Sequence, residues 1–286
     1  MSQTQSAPGE RSLSKSIFYG LLLGFAFLGS ILFVKALLFV LLAAAVAAGA
    51  WELSTALRKA GWYVPRLPVI FGTLAIMPAT FFGGAVWQWG ITAAMIFFLV
   101  LWRTVHLLWE RRESITQSFT KSMRDFSASA FVVIYLPLTA SFTILLLARD
   151  DGAGWVIQFV VPTALIDTFG YLVGRKFGKT RIAPGVSPKK SLEGLAASVV
   201  AGVASSVLLM VFVLKHDWYF GLLSAGVILL AAVFGDLAES LIKRDLGVKD
   251  MSTWLPGHGG MMDRLDSMLP AGLVMYLFAT LLFPIS

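Results

Sequence analysis

Apolar stretches, most of them close to twenty residues long, follow one another along this chain and are broken only by short charged segments. A helix needs about 20 apolar residues to cross the hydrocarbon of a bilayer. On that measure, spans are predicted near residues 17–34, 36–57, 67–83, 85–102, 126–148, 153–174, 192–214, 218–242 and 267–284. The polar stretch 1–16, MSQTQSAPGERSLSKS, reads as a disordered tail. From residue 17 the apolar run continues to Ala50 with only Lys35 in its way. The apolar core of a cleaved signal peptide is about 7–15 residues, so this run reads as a retained span.

Composition agrees with the pattern. Of 286 residues, 57% are hydrophobic and 14% charged, and the mean hydropathy is +0.79. Soluble domains carry about 25% charged residues. The expectation is an all-α polytopic membrane protein of about nine transmembrane helices. Cysteine is absent, which excludes disulfides, thiolate metal sites and a cysteine nucleophile.

A net charge of +7 raises the question of nucleic acid, and the placement of the charges answers it. With nine spans, 20 of the 23 lysines and arginines fall on the side that holds the N-terminus. Only Lys35, Arg149 and Lys215 fall on the other. That is the positive-inside distribution of a membrane protein, so no nucleic-acid partner is expected. It puts the N-terminus in the cytoplasm and the C-terminus outside. The mixed charges of loop 103–125 read as a solvated surface helix, and the many Trp and Phe as lipid-facing bulk and interfacial belts.

Acids inside apolar segments are costly and usually functional. Asp167 lies about two turns before the end of the sixth span. Asp236 and Glu239 lie near the end of the eighth, and Asp263 and Asp266 where the ninth begins. Each pair is spaced i,i+3 and so shares a helix face. Topology brings all these segments to one side. The plainer reading is that each acid caps a helix or pairs with a nearby base.

Residues 240–266, SLIKRDLGVKDMSTWLPGHGGMMDRLD, gather Ser240, Lys243, Arg244, Lys249, Asp250, Pro256, His258, Asp263, Arg264 and Asp266 into one connector. Carboxylates hold hard cations, Lys and Arg hold phosphoryl oxygens, and glycine lets backbone approach a ligand. This spacing resembles the signature of the phosphatidate cytidylyltransferases (CDP-diacylglycerol synthases). Two further blocks resemble the same family. One is Asp167-Thr-Phe-Gly-Tyr-x-x-Gly-Arg175, with Gly170 where Ala is usual. The other is Ser187-Pro-Lys-Lys-Ser-x-Glu-Gly194, where Thr and an aromatic residue are commoner at positions 191 and 192.

The resemblance implies that CTP and phosphatidate react to give CDP-diacylglycerol and pyrophosphate at the cytoplasmic face of a bacterial plasma membrane. It divides the chain into the tail 1–16, a five-helix membrane region over 17–148 and a catalytic membrane region over 149–286. The residues fit such chemistry. A lipid phosphate is already anionic and needs no general base, and nucleotidyl transfer depends on alignment and charge neutralisation. The expected catalytic residues are Asp236, Asp263, Lys243, Arg244 and His258, with His258 a donor to phosphate rather than a zinc ligand. Asp236 and Asp263 are expected to hold Mg²⁺, with a second cation, K⁺ or Mg²⁺, as a further candidate. Substrate binding falls to Asp167, Arg175, Ser187, Lys189, Lys190, Ser240, Lys249, Arg264 and Asp266. His106 and His216, in charged loop ends, read as incidental.

Two other classes fit less well. A CTP-dependent lipid-alcohol kinase needs a base for its alcohol. A transporter of an anionic lipid or phosphate needs charges leading through the membrane, whereas here they gather at one face. Oligomeric state, a homodimer included, is left open by the sequence. Reporter fusions are expected to find the N-terminus in the cytoplasm and the C-terminus outside; both termini on one side would defeat the nine-span reading.

Overall fold

The computed structural model describes residues 29, 35–110, 115–183, 187–248, 251–252 and 260–284. All but Gly29 of the expected span 17–34 lies outside them. The described chain runs through α1 (Lys35–Lys59), α2 (Arg66–Glu110), α3 (Ile115–Val133), a π-helical turn (Ile134–Leu138), α4 (Thr139–Leu147) and α5 (Gly152–Phe177). A hairpin of β1 (Arg181–Ala183) and β2 (Ser187–Ser191) leads into α6 (Leu192–Phe212). Then come α7 (Trp218–Asp245), the short α8 (Met262–Leu265) and α9 (Met268–Leu282). Among the described residues, 7 helical stretches are long and apolar enough to cross a membrane. The protein is an all-α polytopic membrane protein apart from the hairpin, which falls where the sequence suggests only a loop.

Helix α2 shows why the expected spans and the helices differ in number. At 45 residues it would measure about 67 Å if straight, twice the roughly 30 Å of bilayer hydrocarbon. It is not straight. Gly84 leaves helical geometry, with φ 66° and ψ −157°, a conformation essentially reserved for glycine. A Cβ at Gly72 would meet Met95 Cε at 2.3 Å. These two positions lie at nearly the same distance on either side of the break, so the halves fold back on each other. They correspond to the expected spans 67–83 and 85–102.

In lipid, helices gain little by hiding apolar surface from one another, so close backbone approach and polar links hold them. Glycines bring α5 against α6, where a Cβ at Gly194 would lie 2.7 Å from Gly170 O and 3.1 Å from Gly174 Cα. Deeper in the bundle, Gln158 Nε2 of α5 donates to Ser206 O of α6 at 3.0 Å and to Ser224 Oγ of α7 at 2.9 Å. Gln88 of α2 donates to Ser141 Oγ of α4 at 2.7 Å. Two apolar cores form around these contacts. One joins α1, α2 and α3 to Met262, Leu265 and Leu269. The other joins Trp155, Phe159, Ile228 and Phe278 from α5, α7 and α9.

One end of the bundle is closed by Arg149, which donates to Phe283 O at 2.8 Å and pairs with Asp151 at 3.0 Å. Burial pushes the Asp151 carboxyl up, but hydrogen bonds from Arg149 and Trp155 outweigh it and hold it below the ordinary carboxylate range. His216 stacks on Phe283 at the same end, with ring centroids 4.2 Å apart.

Gly84→Ala is expected to destabilise the protein by about 1–3 kcal/mol, because a Cβ is strained in that backbone region. Gly90→Ala, where a Cβ meets nothing within 4 Å, is expected to be neutral. Thermal unfolding of both variants in detergent checks the contrast, and equal midpoints would contradict the hinge.

Candidate active site

The bundle's other end collects the acids. Asp236 and Glu239 lie on α7, Asp263 on α8, Asp266 at the junction with α9, and Asp167 on α5. The approach of α7 to that junction is very close. A Cβ at Gly235 would come within 2.2 Å of Asp266 O and 2.9 Å of the Pro270 ring. Gly235 therefore lets the two acid-bearing segments meet directly beside Asp236.

Lysines bind these segments together. Lys243 Nζ lies 2.8 Å from Asp263 Oδ1 and is also ion-paired with Glu239 one turn back on α7. Glu239 is wholly buried, and Asp263 and Lys243 are 11% and 16% exposed at their side chains. The other oxygen of Asp263 accepts the Gly260 N–H at 2.7 Å. Lys190 reaches from β2 to pair with Asp236. The hairpin delivers it there: Ser191 follows directly, and its Oγ caps α6 by accepting the Gly194 N–H at 3.2 Å. Main chain of the same segment is tied to α6 through Thr180, whose N–H donates to Glu193 at 3.2 Å.

Among the described residues, Asp266 and Asp167 have no lysine of this kind. Asp266 accepts the Ser267 N–H at 2.7 Å. Ser267 Oγ lies 2.8 Å from Asp167 Oδ2 and 3.2 Å from Asp266 Oδ1. A hydroxyl has one proton to give, so the shorter contact, to Asp167, is the stronger claimant. Asp266 feels the negative charges of Asp236 and Asp167 as well as the positive charge of Lys243. Thus five carboxylates converge, while Lys190 and Lys243 ion-pair with three of them.

Of the residues expected in the site, Asp167, Lys190, Asp236, Lys243, Asp263 and Asp266 are brought together. The plainer reading is partly realised too, since Asp236 and Asp263 each have a lysine partner. Arg175 is not drawn in by its described contact, which is with the Tyr171 hydroxyl one turn earlier at 3.1 Å. Ser240 is half-buried on α7, and Arg244 and Arg264 are exposed. Ser187 and Lys189 contribute backbone to β2, but their side chains lie outside the described structure, as do Lys249 and His258 altogether.

Three groups that the sequence reading passed over stand here. Ser267 couples α5 to α9 as described. Tyr135 sits in the π turn, a feature frequent at functional sites, and its buried hydroxyl has no hydrogen-bond partner among the described residues. It feels the charges of Glu239, Asp266 and Asp236. Glu52 of α1 is 2% exposed and accepts the Met262 N–H at 2.9 Å. Its signal was available, because a lone carboxylate in the apolar run 36–57 needs a partner just as Asp167 does.

The donor set suits a hard cation. Among the described residues, no group of three or more His, Cys, Asp or Glu is arranged to hold a metal by itself. Mg²⁺ seldom asks for one: it is commonly held by one or two carboxylates together with substrate phosphates. Asp236 and Asp263 could supply such oxygens.

This arrangement of acid and base meets matching relatives. A model described as the cytidylyltransferase family matches residues 14–282. The chain belongs to the cytidylyltransferase family. A phosphatidate cytidylyltransferase of Mycobacterium bovis is 34% identical over 286 residues, covering 98% of this chain and 92% of its own. That of Mycobacterium leprae is 36% identical over 277 residues, covering 95% and 89%. Another, from Thermotoga maritima, is 37% identical over 158 residues, or 53% of this chain and 58% of its own.

Lys243→Met is expected to cost about 3–5 kcal/mol, because it leaves buried carboxylates without their counter-charge. Adding Glu239→Gln should recover part of that loss. Thermal unfolding of the single and double variants in detergent measures both effects. Wild-type stability in the single variant would show that the lysine does not balance these acids.

Proposed function

We propose that this protein transfers the cytidylyl group of CTP to phosphatidate, giving CDP-diacylglycerol and pyrophosphate. The observation that carries the reading is the meeting of Asp236, Asp263, Lys190 and Lys243 from separate elements, in a chain whose family match runs over 14–282. A lipid phosphate oxygen attacks the α-phosphorus, a new P–O bond forms, and the bond to the bridging oxygen of the β-phosphate breaks. The electron pair leaves with pyrophosphate. The attacking oxygen is anionic at neutral pH, so no side chain must remove a proton.

The work left to the protein is alignment and neutralisation. Lys190 and Lys243 offer ammonium groups to phosphate oxygens, exchanging carboxylate partners for phosphate as the nucleotide enters. Asp236 and Asp263 would hold Mg²⁺, which supplies neutralisation of nucleotide charge as the P–O bond breaks. A second cation, K⁺ or Mg²⁺, belongs to the same reading. Arg244, Arg264, Arg175, Lys189, Lys249 and His258 are assigned to phosphate recognition, and Ser187 and Ser240 to hydrogen bonding of substrate. Nine spans, an N-terminus in the cytoplasm, an external C-terminus and a site on the cytoplasmic side of the plasma membrane complete the reading, supported by the 20 of 23 bases on one face.

The test incubates purified protein with phosphatidate, Mg²⁺ and CTP labelled at the α-phosphate. A labelled lipid is expected, and its absence from folded wild-type protein would overturn the activity. Asp236→Asn and Asp263→Asn each keep the shape of the side chain but lose the charge that binds a cation. Each is expected to cut the rate by roughly a hundredfold or more. Near-normal rates and Mg²⁺ dependence in both variants would sink the metal assignment while leaving the reaction standing.

A further inference from the structure

Glu52 belongs to the N-terminal half of the chain, yet its carboxylate's described hydrogen bonds are with the connector before α9. Oε2 accepts the Met262 N–H at 2.9 Å, and Oε1 accepts the hydroxyl of Ser252. Gly260 packs flat against the same carboxylate, since a Cβ there would fall 2.5 Å from Oε2. Residues 252 and 260–262 therefore converge on one buried side chain. No lysine or arginine among the described residues is ion-paired with it. A buried carboxylate needs compensation, and here hydroxyl and amide donors supply it.

The next link leads to the site. Gly260 is held against Glu52 and donates its N–H to Asp263 Oδ2 at 2.7 Å. The opposite oxygen of Asp263 faces Lys243 at 2.8 Å. The direction of the Asp263 carboxylate thus depends on where the 260–262 backbone lies, and that backbone is fixed by α1. Around this point, Leu265 also packs on Gly49 one turn before Glu52, where a Cβ would meet its Cδ1 at 3.2 Å. The apolar contact and the carboxylate contacts register the same segment on the same helix face.

We propose that Glu52 is a positioning residue for Asp263, acting through the backbone of residues 260–262. The proposal rests on the cytidylyltransferase reading for its consequence but not for its geometry. Glu52 touches no substrate; it sets the angle at which a reacting-site carboxylate is presented. Hydrogen bonding, rather than charge, is what the role requires. A glutamine can still accept the Met262 N–H with its carbonyl and donate to Ser252 Oγ with its amide. Aspartate keeps the charge but is one methylene too short to reach both partners.

The experiment compares wild type with Glu52→Gln, Glu52→Asp and Glu52→Leu as purified full-length protein in detergent. Hydrogen–deuterium exchange of peptides covering 260–265 and 268–282 is read beside steady-state kinetics with CTP and phosphatidate. Glu52→Leu and Glu52→Asp are expected to speed exchange in the first peptide and not the second. They should lower kcat about tenfold or more, as loss of an outer support for a ligand does, and leave the KM for CTP unchanged. Glu52→Gln should behave as wild type. Unchanged exchange in the Asp variant would overturn the proposal, as would equal loss of kcat in Gln and Asp. If Glu52→Leu does not fold, the Gln and Asp variants decide the matter. If wild type makes no labelled lipid, the functional reading falls, and the exchange comparison still decides whether Glu52 holds the segment.

Discussion

Charge taken out of water must be balanced locally, and that constraint shapes the end of the bundle where α5, α7 and α9 meet. The ion pair of Lys243 with Glu239 and Asp263 is its centre. Glu239 is wholly buried, and an isolated carboxylate there would cost several kcal/mol. The lysine lies between two acids from different elements, so its pairing fixes α7 relative to α8. Once those are fixed, Gly235 brings the Asp266 carbonyl against α7, and Ser267 ties Asp266 to Asp167 on α5. The remaining acids are arranged around that one pairing. A site built this way is held in tension: the acids repel one another, and packing forced by glycine contacts keeps them close.

Much of this was legible from residues alone, for reasons that differ from element to element. The spans could be read because lipid imposes a length and a composition on any helix that crosses it. Even the break in α2 was legible, since Gly83 and Gly84 stand between two apolar runs each long enough to cross. The acids could be read because charge in an apolar run is expensive. The hairpin 181–191 was not, since a polar, basic, Pro- and Gly-containing segment looks the same as a loop until its ends pair. Pairing of Asp236 with Lys190 was beyond reach for the same reason: it depends on β2 turning the lysine toward α7. Ser267 and Tyr135 carry no charge, so nothing in their surrounding apolar runs singles them out. Their importance lies in neighbours from helices distant in sequence, which no local pattern announces.

The two halves of the chain divide the work unevenly. Most of the acids and bases discussed here belong to α5 and beyond, whereas the N-terminal half is occupied largely with apolar packing. Apart from those of Glu52, the described polar contacts of that half stay within it. Arg103 pairs with Asp125 at 2.8 Å, both nearly inaccessible, and Tyr63 N–H donates to the same carboxylate at 2.9 Å. Those bonds lock the turn between α1 and α2 to α3. Locking that turn also fixes the end of α1, about two turns beyond Glu52. A buried ion pair is weak evidence of stability, but it specifies one arrangement over others that are equally apolar. Here it specifies the height and rotation of the helix that presents Glu52.

That places the first half of the chain in a supporting role with a physical basis. Helices in lipid slide and rotate at small cost unless polar contacts or close backbone packing pin them. A site needing carboxylates fixed to within a fraction of an ångström cannot rely on α7 and α9 alone, because Asp263 lies on neither of them. An anchor must come from outside. The α1 face formed by Gly49 and Glu52 meets this need with two unlike contacts, one apolar and one hydrogen-bonded. Together they resist both translation and rotation of residues 260–265. The same logic explains why a carboxylate is suited to position 52 despite its cost. It can accept a backbone N–H and a hydroxyl at once, on two oxygens, and so register two points of the connector against a single helix.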